Sequence, residues 1–237
     1  MRYLEIDVAR GIAVLLMIAY HFFFDILYLE GSGFFWLAAP IASSFILISG
    51  VALSISYSKG GSFLKFAKRG FKLLLLGMLI TVITFALLKE GFIVFGVLHF
   101  FGLTSLLIYP FLKYVKNNFL YLLLGALIIV AGIPISNLII GNNYFTWLGL
   151  KTSDFHSLDY FPLIPWFGVL FLGVFLGKRF YPNGKRSFKS LAFKGNAAKF
   201  LSFFGRNSLI IYFIHQPILI LILFLTGNAQ LLSLLNI

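Results

Sequence analysis

Three residues near the start of the chain could do chemistry together: Arg10, His21 and Asp25. They stand in EIDVARGIAVLLMIAYHFFFD, whose run from Gly11 onward is otherwise almost wholly apolar. A histidine whose second ring nitrogen is held by a carboxylate is a general base or nucleophile, its tautomer fixed by that carboxylate. An arginine recognises phosphate through a planar, permanently charged fork. On a helix turning about 100° per residue, His21 returns to within about 20° of Arg10, roughly 16 Å further along, and Asp25 follows one turn above. Asp7 extends the stripe downward if the helix begins that early. The pattern describes an enzyme that takes a phosphorylated donor at one surface and reacts it inside an apolar layer.

His99, in FGVLHFFG, and His215, in IYFIHQP, also lie in apolar surroundings. An ionisable side chain in hydrocarbon costs about 2.5–3.5 kcal/mol on insertion scales, so it faces a cavity or a partner. Each has a plain structural reading: His99 can hydrogen-bond a neighbouring helix, and His215, ahead of Gln216 and Pro217, can satisfy carbonyls freed by a proline kink. The His21–Asp25 pair costs twice and shares a line with Arg10, which favours function there. His156 and Asp159, in an outer loop, could bind an acceptor or a metal, and solvated loop residues are the plainer reading.

The elements that carry these residues follow from composition. Of 237 residues, 60% are hydrophobic and 11% charged, against about 45–50% and about 25% in soluble domains. This is a membrane protein. The absence of cysteine excludes disulfides, iron–sulfur clusters and thiolate metal sites. The first apolar run is too long for a signal peptide and lacks a small-residue cleavage site, so it should stay as an anchor. A span needs about 20 apolar residues, and seven candidates cover 11–29, 34–57, 70–88, 92–112, 119–140, 161–177 and 207–226. The expected fold is an all-α polytopic helical bundle forming a single domain over 1–237. Pro134 predicts a kink or an early end to the fifth span, and Pro162 and Pro165 suit a first helical turn. Gly173 and Gly177 form a GxxxG pair that could allow close helix contact, but such pairs are frequent in membrane helices and this one says little about the possible homodimer.

Basic residues favour the cytoplasmic side. With the N-terminus inside, the inner segments hold Arg2 and Arg10, then Lys59, Lys65, Lys68, Arg69 and Lys72, then Lys113 and Lys116, then the basic residues of 178–206. That is 17 of 19, with Lys89 and Lys151 outside, so the N-terminus is expected in the cytoplasm and the C-terminus outside. Topology and anionic lipid headgroups account for much of the net charge of +12 without nucleic acid. The clusters KFAKRGFK at 65–72 and GKR at 177–179 still allow a cytoplasmic phosphate site. The outer segment 141–162 is polar and aromatic, which suits a sugar. At 1.5 Å per residue His99 and His215 lie within about 10–13 Å of their entry points, so with His21 they could meet near mid-membrane.

The first helix resembles that of the transmembrane acyltransferases, which share an arginine, ten residues and a histidine, matched by Arg10 and His21. FGVLHFFG, DYFPLIPWFGVLFLG and GRNSLIIYFIHQPIL extend the resemblance, which is nearest to a prokaryotic branch of the heparan-α-glucosaminide N-acetyltransferase-like group and more distant from acyltransferase family three. It implies a multi-pass protein of the prokaryotic cell membrane that moves an acetyl or other short acyl group from cytoplasmic acyl-coenzyme A to a hydroxyl or amine of an extracytoplasmic sugar or lipid-linked glycan, without a metal. His21 would be the base or a transient acyl carrier and Asp25 would orient it. Arg10 would lie on the donor's path, with Lys68, Arg69, Lys72 and Arg206 as candidates for coenzyme A phosphates. His99 and His215 would line the tunnel, and His156, Asp159 and Trp166 would meet substrate. The chain departs from the family in length and lacks the heparan enzyme's glycine-rich asparagine stretch, so the acceptor does not carry over. The competing reading is a proton-coupled carrier relaying through His21, Asp25, His99 and His215, against which no inverted repeat is visible. Haem binding ranks lower, because the histidines lack paired spacing on two helices.

Overall fold

A computed structural model describes residues 3–28, 35–88, 91–189 and 195–226. Arg2, Lys89 and Lys194, used above for topology, lie outside the described residues. Within them the chain is helical: α1 (Leu4–Tyr28), α2 (Ala38–Ser58), α3 (Phe63–Leu87), α4 (Val97–Tyr114), α5 (Asn118–Ser136), α6 (Leu163–Phe180), α7 (Asn196–Arg206) and α8 (Ser208–Leu225). Seven of these, all except α7, are long and apolar enough to cross a membrane.

The ends differ from the apolar runs for physical reasons. Helices α1 and α3 start about two turns early, because EIDVAR and KFAKRG contain good helix formers and Lys and Arg can snorkel from a membrane edge. Helix α5 stops two residues beyond Pro134, as that proline predicts. In α6, Pro162 is the N-cap and Ile164 is extended (φ −102°, ψ 122°), the conformation that a following proline demands. Helix α7 was hidden in a segment that reads as a basic connector. Its buried residues Ala198, Ser202 and Gly205 recur at helical spacing while Phe200 and Phe203 stay exposed.

The chain divides into two compact units, Met1–Ile48 with Phe188–Ile237, and Ser49–Ser187. In the first, α1 packs on α7 and α8. The α1–α7 crossing is backbone on backbone: a Cβ on Gly11 would meet the Leu201 carbonyl, and one on Gly205 would meet the Asp7 carbonyl. Small residues at a crossing are what allow that approach in a membrane helix pair.

In the second unit, α3 packs on α4 and α5 on α6. Phe111, Phe167, Phe171 and Tyr121 interlock between α4, α5 and α6, with Phe111 and Phe171 edge to face at 5.0 Å. The GxxxG pair makes its close helix contact inside the chain. A Cβ on Gly177 would run into Ser54 of α2, and Gly173 lies 2.9 Å from the Cβ position of Gly50. Lys178, from the GKR cluster, donates to the Val115 carbonyl at 3.1 Å and lies 4.3 Å from the centre of the Tyr121 ring. It caps the C-terminal end of α4.

Candidate active site

The first unit brings His21, Asp25, His215 and Gln216 together from the two ends of the chain. His21 projects from the middle of α1, and its Nδ1 lies 2.9 Å from the Met17 carbonyl one turn below. A carbonyl only accepts, so Nδ1 carries the proton and Nε2 of the neutral ring presents a lone pair. His215 repeats the device on α8, with Nδ1 2.7 Å from the Tyr212 carbonyl. The two imidazoles meet edge to face with centroids 4.9 Å apart. Two of the three membrane histidines therefore meet as their depths suggest.

Asp25 does not hold His21. Its buried carboxylate accepts from Nε2 of Gln216 at 2.9 and 3.1 Å, a bond between α1 and α8. The physical reason is local: the Met17 carbonyl already occupies Nδ1 of His21, and the Gln216 amide reaches both carboxylate oxygens. Nε2 of His215 and Oε1 of Gln216 are buried with no hydrogen-bond partner among the described residues. Gln216 escaped the sequence reading because it is uncharged. A polar amide in an otherwise oily helix, one residue before a proline, was the available signal.

Lower on the same helix, Asp7 is buried and lies between two arginines, 3.6 Å from Nη1 of Arg10 and 3.3 Å from Nε of Arg206. Helix α1 starts early enough for Asp7 to join the stripe. The arginine side chains keep 26% and 52% of their surface exposed, so both heads remain reachable while bonded to one carboxylate. A cluster of two guanidiniums and one carboxylate keeps a net positive charge and can pair with phosphate.

The other expected site residues belong to the second unit. Gly96 N–H donates to Nδ1 of His99 at 3.3 Å, and Nε2 of His99 lies 3.5 Å from the Thr81 hydroxyl, which itself donates to the Ile93 carbonyl. The ring rests on Gly77 of α3. His99 thus ties α4 to α3 with both nitrogens in contact, so the helix-bonding reading describes it better than a tunnel lining. Asp159 accepts from Val97 N–H at 2.9 Å and caps the N-terminus of α4 from a distant loop, where a carboxylate also complements the helix dipole. His156 is exposed, with Nδ1 2.7 Å from the Asp154 carbonyl. Trp166 packs on Phe161 at 4.9 Å.

The outer segment is ordered by its own bonds. Tyr160 donates to the Thr146 carbonyl at 2.7 Å, and burial pushes its hydroxyl up to about 12. The Thr152 side chain holds the Asp154 carboxyl below the usual carboxylate range. On α3, Arg69 donates to Ser49 at 3.1 Å. Lys68 and Lys72 are exposed and edge an open groove of about 530 Å³ whose other lining is Leu64, Ala67, Phe71, Leu75 and Leu76. Such a surface offers point charges to a phosphate and nothing polar to a nucleobase. Among the described residues, no group of three or more histidine or acidic side chains could hold a metal ion.

The family model described as heparan-alpha-glucosaminide N-acetyltransferase, catalytic, matches residues 2–217. The match runs from the first helix to the residue after Gln216 and so takes in every member of the α1–α8 cluster. No curated protein and no solved structure matches the chain.

Proposed function

Because the chain belongs to the heparan-alpha-glucosaminide N-acetyltransferase catalytic family, we propose that it moves an acetyl or other short acyl group from acyl-coenzyme A to a hydroxyl or amine of an extracytoplasmic sugar or glycan. The family is one of membrane acetyltransferases, and seven apolar helices make this a multi-pass membrane protein. The donor, the acceptor and the role of His21 are our reading.

One observation carries it: His21 has its Nδ1 spent on the Met17 carbonyl, which leaves Nε2 as the free base of a ring in edge-to-face contact with a second imidazole. In that state it can take a proton from the acceptor as the acceptor attacks the thioester carbonyl. Positioned proton transfer of this kind contributes about 10²–10⁴-fold. Asp25 and Gln216 tie α1 to α8 one turn above and so fix the distance between the two rings. Arg10 and Arg206, at the start of α1 and the end of α7, would meet the donor's phosphates. With the N-terminus inside, they face the cytoplasm, where acyl-coenzyme A is made.

The test is donor turnover by purified protein in detergent. Acetyl-coenzyme A should be consumed with release of free thiol, and a thiol reagent reads this without background because the chain has no cysteine. Radiolabelled acetyl should pass to an added amino sugar or polyol. Absence of both binding and turnover of acetyl-coenzyme A would overturn the proposal and favour the proton-coupled carrier, which proton flux into proteoliposomes would reveal.

A further inference from the structure

We infer that His215 is a second catalytic residue, which returns to the leaving sulfur the proton that His21 takes from the acceptor. This rests on the acyl-transfer reading above. The two rings are set alike: each Nδ1–H points at a carbonyl of its own helix, Met17 at 2.9 Å and Tyr212 at 2.7 Å. Each therefore offers Nε2 as its working nitrogen, and the rings are in edge-to-face contact. His215 is only 7% exposed, yet its Nε2 has no hydrogen-bond partner among the described residues. Buried acceptors are normally satisfied. One that is left bare beside a catalytic base has a use there.

The groups facing the pair are few. On α1 they are Tyr20, whose ring stands edge-on to His21 at 5.4 Å, and Asp25, bonded to Gln216. On α8 they are Tyr212, 5.8 Å from His215 between centroids, and Gln216 itself. Of these, His215 alone presents a buried ring nitrogen with no hydrogen-bond partner among the described residues.

The step balances as follows. The acceptor's O–H or N–H bond breaks, its proton goes to Nε2 of His21, and the acceptor atom bonds to the thioester carbonyl carbon. Collapse of the tetrahedral intermediate breaks the C–S bond and leaves the electron pair on sulfur. The proton passes from Nε2 of His21 to Nε2 of His215, which are not hydrogen-bonded at rest and so must come together or share a water during the step, and then goes to the thiolate, so both rings end neutral.

Leaving-group chemistry tests this. Coenzyme A leaves as a basic thiolate that benefits from an acid, whereas the thiolate of an acetyl-thionitrobenzoate ester is stable without one. In purified full-length protein, His215→Gln should lower kcat/KM for acetyl-coenzyme A by about 10²-fold and leave the activated ester within about threefold of the parent. His215→Asn, which keeps a donor for the Tyr212 carbonyl, should behave the same and guards against misfolding. His21→Asn should depress both donors. Equal loss with both donors in the two His215 variants, or no loss with either, would overturn the relay while leaving acyl transfer standing. A parent protein that turns over neither donor would remove both.

Discussion

Replacing Gln216 by leucine removes the one amide that holds Asp25, and the effect can be sized. Two contacts, at 2.9 and 3.1 Å, converge from one nitrogen on a carboxylate that is 6% exposed. Interhelical hydrogen bonds in membranes average about 0.6 kcal/mol and reach about 1.7, and a doubly contacted, buried acceptor belongs near the top of that range. Gln216→Leu and Asp25→Leu should each destabilise the protein, and the double variant should recover about 1–2 kcal/mol of the summed loss, since neither polar group is then left alone. At roughly 2–4 °C per kcal/mol for a chain of this size, the coupling should read as about 2–8 °C in a thermal melt of detergent-solubilised protein. A matching cycle of Asp25→Leu with His21→Asn should be additive within about 0.5 kcal/mol. Coupling of Asp25 to His21 rather than to Gln216 would refute the assignment of partners and restore the carboxylate–histidine pair suggested by their spacing.

Three further outcomes are expected. His21→Asn keeps a donor for the Met17 carbonyl but loses Nε2, so the protein should stay folded while thiol release falls about 10²–10⁴-fold; a rate within about threefold of the parent would count against the base. Asp159→Ala strips the α4 N-terminus of its carboxylate and should cost about 1 kcal/mol of stability, seen as a lower melting temperature. Tyr160 should ionise near 12 rather than near its ordinary 10, and Tyr160→Phe should remove that component from an alkaline ultraviolet titration. The raised value lies above the unfolded one, so the contribution of Tyr160 is intact below pH 10 and is lost as pH climbs toward 12; Tyr160→Phe should flatten that alkaline decline.

The helical membrane fold was legible because its signal is additive: long apolar runs, proline stops and a charge bias all point the same way. The site was legible in part. His21 and His215 were marked by the cost of placing imidazole in hydrocarbon, and they do meet. Which side chain satisfies which was not legible, because it depends on short-range geometry: a backbone carbonyl won Nδ1 of His21, and an uncharged glutamine won Asp25. His99 and Asp159 carry the same residue types but join helices or cap one, and only the contacts with Gly96, Thr81 and Val97 reveal that. Helix α7 escaped because its buried face is made of alanine, serine and glycine, which hydropathy does not register. Its fit against Gly11 depends on the smallness of those residues rather than on their oiliness.

The bonds that build the site span nearly the whole chain, Asp7 to Arg206 and Asp25 to Gln216, the latter 191 residues apart. At a synthesis rate of about 5–20 residues per second, Asp25 waits about 10–40 s in the membrane before its partner exists. During that interval the first helix holds one imidazole without the other and a carboxylate without its amide. An unfinished chain therefore lacks both the His21–His215 ring contact and the Asp25–Gln216 bond. Only once α8 has been made can the cluster that joins the two ends of the described chain assemble.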